Sequence, residues 1–372
     1  MGDESRLPMP SRAVIGEFDP KAHALSIALG GGGLNPLPQP PGPCHIAAMS
    51  DANAPTPAPF DRRAVRAHRD RAAPRFAESD FLFLETALRL IERLRDIRRG
   101  FTHVLDLGCH RGELGARLAR HEAAGRVVQC DLSPGMARLA RAANGLLTVC
   151  ADEEALPFAE GAFDLIVSNL SLHWVNDLPG TLAQLLRALK PDGLFLACLL
   201  GGATLHELRR ALMNAELALE GGASPRVSPF ADVRDGGDLL TRAGFKLPVA
   251  DLDTIRVSFP DALELMRDLK GMGEANAVAE RRKTLTRRQT LMEAARLYPP
   301  AAAPLDAGAG PPGRIEATFD VIWLAGWAPG PGQPRPLAPG SASTRLADAL
   351  GTAERPAGET PAGETPEGLE PR

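Results

Sequence analysis

The chain has 372 residues, 44% of them apolar and 24% charged, with a formal net charge of −4. These are the proportions of a globular protein, and the small negative charge argues against a nucleic-acid-coating or membrane-surface role. Five cysteines without a CxxC or CxxxC pair argue against a zinc cluster or disulfide framework, and no apolar run approaches the ~20 residues of a membrane-spanning helix. The first 48 residues fit neither a secretory signal nor a transit peptide, and Met49 is a second plausible start, so this stretch is expected to be dispensable and the protein cytoplasmic.

Gly (37) and Pro (34) crowd toward the ends, which predicts one ordered domain over 60–330 between disordered extensions at 1–59 and 331–372. Residues 61–75 carry six arginines against two aspartates. They read either as a solvated helix face or as a basic lid that meets an acidic or protein substrate. Residues 80–99 place Leu84, Leu88, Ile91 and Leu94 at helical spacing. Short apolar runs at 103–108, 126–131, 146–150, 163–168 and 193–200 then alternate with helical stretches at 112–121, 134–143 and 178–190, which predicts a parallel sheet covered on both faces. Helices are expected at 203–220, 235–244 and 261–270, and strands at 251–258 and 315–327. The core is thus 100–200, with additions over 201–330.

The first strand runs into Asp106, Gly108 and Gly112. Glycines there let the backbone turn sharply and approach a ligand. The second strand ends in Asp131 and Leu132, where an acid can accept from both ribose hydroxyls. Asp152 and Glu153 follow the third strand, placed for an adenine amino group with Leu156 or Phe158 near the ring, and Asn169 ends the fourth. An acid followed by GxxxG, rather than GxGxxG, suits an amino-acid end and not a pyrophosphate. The series therefore predicts S-adenosyl-L-methionine as cofactor. His110 stands where the middle glycine of such a motif is usual.

This ordered series resembles the class I methyltransferase fold, Rossmann-like and doubly wound, with a mostly parallel seven-stranded sheet. FDRRAVRAHRDRAA at 60–73, ADEEALPF at 151–158, SNLSLHWVNDLP at 168–179, GGATLHELR at 201–209, SPRVSPFADVRD at 224–235 and MRDLKGMGEANA at 266–277 carry a narrower likeness. In that order they resemble the methyltransferase-fold assembly factors of mitochondrial respiratory complex I and their bacterial relatives. The resemblance implies arginine hydroxylation on a complex I iron–sulfur subunit as the activity and partner. A more distant likeness runs to the malonyl-carrier-protein methyltransferases.

For methyl transfer, His173 after the fourth strand is the candidate base, or with Trp174 a pocket wall. Glu274 is the candidate holder of a substrate guanidinium; Gly271–Asn276 reads as a close-approach loop or as a helix cap and turn. Glu207, Arg209 and Ser228–Phe230 are further acceptor-side candidates. The run Arg281–Lys283 with Arg287–Arg288 reads as a solvated helix face or as a contact surface. His68–Arg69–Asp70 is the one His-x-Asp; no metal is expected, and hydroxylation rests on resemblance alone. A protein-modifying enzyme, a small-molecule methyltransferase and a non-catalytic assembly chaperone all remain open.

Overall fold

The computed structural model describes residues 14–15, 58–230, 232–301, 313–333 and 344–352. The chain divides into two compact units, 1–332 and 333–372. The second contains one short described helix, Leu346–Leu350. The rest of the two ends expected to be disordered falls outside the described residues, apart from the strand β1 (Val14–Ile15) and the few residues next to the domain or to that helix.

In the first unit the chain forms α1 (Arg62–Ala72), a 3-10 helix (Ala73–Glu78) and α2 (Phe81–Arg95) before the sheet begins. Then come β2 (Phe101–Leu107), α3 (Glu113–Leu118), β3 (Ala124–Asp131), α4 (Pro134–Asn144), β4 (Leu147–Cys150) and β5 (Phe163–Asn169). A 3-10 turn (Leu172–Trp174), α5 (Leu178–Ala188), β6 (Leu189–Leu200), α6 (His206–Glu220) and α7 (Val233–Ala243) follow. The last elements are β7 (Lys246–Phe259), α8 (Ala262–Gly271), α9 (Arg288–Leu297) and β8 (Ile315–Trp327).

The sheet order is β1-β7-β8-β6-β5-β2-β3-β4. Strands β2 to β6 are parallel, while β8 runs antiparallel between β6 and β7. This is the expected seven-stranded arrangement, with β1 added at the edge of β7. Alternation along the strands separates two cores, as a pleated strand requires. Leu194, Leu196, Cys198 and Leu200 of β6 join the core under α2, α6 and α8; Phe195, Ala197 and Leu199 join the one under α5 and α7.

β7 is longer than its predicted 251–258, because a register shift between Lys246 and Val249 accommodates Pro248. The solvated-helix reading of the basic run also changes: α9 begins only at Arg288, while Arg281 pairs with Asp61 at 2.9 Å and Arg282 pairs with Glu220. Among the described residues no helix is long and apolar enough to cross a membrane.

Candidate functional site

The chain turns from β2 to β3 on one side and returns to β5 on the other. The loops after β2, β3, β4 and β5 therefore meet where the strand order reverses, the usual ligand crevice of such sheets. At Gly108 (φ +71) a Cβ would lie 2.2 Å from Ser171 Cβ, so only glycine lets the β2 loop lie against the β5 loop. His110 turns inward and is 2% exposed. Its ring stacks on Phe76 at 5.7 Å and meets the edge of Phe83 at 4.4 Å. Its Nε2 donates to Asn169 O at 3.1 Å. Burial, reinforced by Arg69, holds it down at about 3, so the ring is neutral.

Asp131 is fully buried. It accepts from Ser133 N at 2.7 Å and His110 N at 2.9 Å, and Arg69 Nη1 stands 3.9 Å away. Burial raises its carboxyl to about 6 in spite of Arg69. Glu153, also fully buried, accepts from Arg69 Nη1 at 3.1 Å and Ser171 Oγ at 2.7 Å, and Arg62 pairs with it. Burial would raise Glu153, but Arg69 and Arg62 hold it down at about 2. Asp152 pairs with Arg62. The structure thus brings Asp131, Asp152 and Glu153 together, with two arginines of α1 between them.

Those arginines overturn the solvated-face reading for one side of 61–75. Arg69 is 0% exposed, and Val65, Arg69 and Ala72 form the buried face of α1. Asp61 caps the helix by accepting from Ala64 N, and Asp70 fixes its other end to α4, accepting from Ser133 Oγ at 2.6 Å and Gly135 N at 2.8 Å. The signal was legible as spacing: Arg62, Val65, Arg69, Ala72 and Phe76 lie three or four apart, on one helical stripe.

A second centre lies beside the first. His173 Nε2 donates to Glu274 Oε2 at 3.0 Å, and Trp174 Nε1 donates to the same oxygen at 2.7 Å. Glu274 Oε1 is buried without a hydrogen-bond partner. Burial opposes its ionisation, but His173 and Arg69 hold the carboxyl below its usual value. The preceding Gly273 (φ +80) lies against α1, where a Cβ would meet Arg69 Cα at 3.2 Å. Gly273 thus brings this loop close to α1, and the cap of α8 stands beside it at Met272. Glu274 faces a cavity of about 400 Å³ lined also by Trp174, Ser228, Phe230, Met266 and Asn276.

Other candidates stand elsewhere. Asp106 is enclosed behind the glycine loop; Gln129 Nε2 reaches its Oδ2 at 3.4 Å, Oδ1 has no partner, and burial raises it to about 7. Gly112 (φ +88) faces Asn144 and Gln129. Asn169 is tied to α2, accepting from Thr86 Oγ1 at 2.7 Å and donating to Phe83 O at 3.0 Å, because its side chain points into that core. Leu132 packs with Phe60, Val65 and Trp174. Leu156 and Phe158 pack into the α5 side of the sheet. Glu207 bonds Thr318 on β8, and Arg209 donates to Ser228 O at 3.1 Å. His68 Nδ1 lies 3.1 Å from Ala275 O, and among the described residues no group of three His, Cys, Asp or Glu could hold a metal ion.

Residues 105–197 match the model of the Methyltransferase domain family. The chain is 41% identical over 292 residues to "Arginine-hydroxylase NDUFAF5, mitochondrial" of Danio rerio, covering 78% of this chain and 88% of that protein. The human protein of the same name is 42% identical over 292 residues, covering 78% and 82%. The malonyl-[acyl-carrier protein] O-methyltransferase of Halorhodospira halophila is 38% identical over 275 residues, covering 73% and 89%. Both NDUFAF5 relatives are mitochondrial by name, a compartment that the reading of the N-terminus did not anticipate. At this identity over more than four fifths of these two relatives, the chain belongs to the NDUFAF5 arginine-hydroxylase family, on a class I methyltransferase fold.

Proposed function

We propose that this protein is an S-adenosyl-L-methionine-binding enzyme that modifies an arginine side chain of a protein, with an iron–sulfur subunit of respiratory complex I as its target. The observation that carries this reading is Glu274: a largely buried carboxylate with one oxygen held by His173 and Trp174 and the other without a hydrogen-bond partner, in the lining of a cavity beside the β5 loop. A guanidinium presents paired N–H donors that such a carboxylate accepts, and its aliphatic stem suits apolar walls such as Phe230 and Met266.

The cofactor's chemistry fits the residues at the other end. Asp131 stands where ribose hydroxyls would be held, Asp152 and Glu153 where an adenine amino group would donate, and the unpartnered Asp106 Oδ1 lies behind the glycine loop. When bound, S-adenosyl-L-methionine supplies a methyl group on a positively charged sulfonium. The chain's own residues do the rest. Glu274 binds and orients the guanidinium, His173 fixes the carboxylate, and Trp174 and Phe230 exclude water.

A second reading is favoured by the family name: hydroxylation of the same arginine without methyl transfer, with dioxygen and a two-electron reductant supplied from outside the chain, in which Glu274 keeps its role. The test is intact mass of the iron–sulfur subunit from cells with and without this protein. A gain of one methylene unit supports methylation and a gain of one oxygen supports hydroxylation. An unchanged mass with failed complex I assembly rejects both and leaves the assembly chaperone.

A further inference from the structure

The cavity that Glu274 lines carries charge of both signs, in different places. Its buried lining is apolar, with Leu82, Leu200, Leu205 and Phe319, and Glu274 belongs to that part, its side chain 7% exposed. Two exposed cations also line it: Arg71 from the last turn of α1 and Lys270 from the last turn of α8. Exposed residues in the lining of a cavity stand at its opening. The other basic groups there are accounted for. Arg226 Nε donates to the buried carboxylate of Glu216 at 2.7 Å. Burial together with Arg71 lowers the pKa of His68, which leaves that ring neutral at pH 7.

Arg71 and Lys270 have no such partner. Arg71 Nε donates to Ala67 O of its own helix at 3.0 Å, and neither cation has an ion pair among the described residues. A cation in the last turn of a helix suits the helix dipole. That explains the residue type at each position, but not why two helices from opposite ends of the domain bring their last turns to one opening. An anion inside and two cations outside are complementary to a ligand with a cationic tip and an anionic group behind it. A protein arginine whose guanidinium reaches Glu274 keeps its own backbone at the opening, and the side chains on either side of it stand there too.

We propose that Arg71 and Lys270 select a protein substrate in which an acidic residue stands next to the target arginine. The guanidinium goes to Glu274, and the neighbouring carboxylate meets the two cations at the opening. This rests on the arginine reading above. A carboxylate in that place has a second source, the α-carboxylate of an arginine that ends its chain, and the test separates the two.

Four labelled nonapeptides serve as probes. Three are blocked at both ends and carry one central arginine between two aspartates, two asparagines or two lysines; the fourth ends in arginine with a free carboxylate and has no other acid. Binding to the full-length protein with S-adenosylhomocysteine is followed by fluorescence anisotropy at low salt. The aspartate peptide is expected to bind about tenfold more tightly than the asparagine peptide, and the lysine peptide more weakly than either. Arg71→Gln/Lys270→Gln should bring these three to within about twofold of one another, and Arg71→Glu/Lys270→Glu should reverse their order. Melting temperature checks that both variants are folded. Glu274→Gln should weaken all four peptides. Equal binding of the aspartate and asparagine peptides by wild-type protein, or an order that charge reversal leaves unchanged, overturns the selection while leaving the arginine reading in place. Tighter binding of the peptide that ends in arginine than of the aspartate peptide assigns the cations to the arginine's own carboxylate and overturns the flanking acid. No binding of any arginine peptide, or binding that Glu274→Gln leaves untouched, overturns both.

Discussion

His173 and Glu274 stand 101 residues apart in sequence and 3.0 Å apart in the fold, joined because the β5 loop and the α8 loop are both packed against α1. The pair leaves one carboxylate oxygen unspent. Glu274→Gln keeps the shape and an acceptor for Trp174 but removes the charge that a guanidinium requires. A hydrogen bond to a charged group contributes about 1.5–3 kcal/mol, so target modification should fall about 10- to 100-fold. S-adenosylhomocysteine affinity and melting temperature should remain near wild-type. Calorimetry and target mass, measured side by side, check this; if cofactor affinity collapses together with modification, Glu274 belongs to the cofactor cleft instead.

Asp131 offers the complementary test. Asp131→Asn retains an acceptor for Ser133 N but cannot accept two hydroxyls through charged oxygens, so S-adenosylhomocysteine binding should weaken about tenfold or more. It also removes one of the three carboxylate charges near Arg69, so thermal unfolding must be followed alongside. A folded variant with unchanged affinity would remove Asp131 from the cofactor assignment.

Asp106 predicts a pH dependence. Complete burial raises its folded carboxyl from 3.8 to about 7, so between those values the folded state binds more protons than the unfolded state. Stability contributed by this group is therefore present at acidic pH and declines as pH rises toward 7. Asp106→Asn keeps the shape without the titration. The difference in melting temperature, variant minus wild-type, should grow from pH 4 to pH 7, and a flat difference would show that Asp106 is ionised throughout.

Much of this was legible in the sequence, for definite reasons. Strands buried on both faces read as apolar runs, such as 165–167 and 194–200, and glycines with positive φ stand where the β2 loop turns. Glu274 was legible because two glycines, a carboxylate and an amide are unusual company at a helix end. For Arg62 and Arg69 only the helical stripe was legible and not the partners, since charged residues rank as solvent-facing unless a partner is known, and Glu153 lies 84 positions from Arg69. Asn169 was misplaced for a related reason: its position at the end of β5 is cleft-facing by topology, while Thr86 and Phe83 of α2 draw its side chain away.

The acceptor cavity carries the last prediction. Met266 on α8 lines it together with Leu208 and Leu212 of α6, while Asp131 and Glu153 are not among its lining residues. Met266→Trp adds a large rigid ring inside about 400 Å³, enough to obstruct a protein side chain on its way to Glu274. Met266→Leu conserves volume and is expected to be tolerated. If the cavity admits the target arginine, the tryptophan variant should raise KM for the protein substrate at least about tenfold while the leucine variant stays near wild-type. S-adenosylhomocysteine affinity should be unchanged in both, because the cleft acids do not line this cavity. Kinetics with the iron–sulfur subunit as substrate decide the matter. A tryptophan variant that modifies its target at the wild-type rate would mean that the arginine reaches Glu274 by another path.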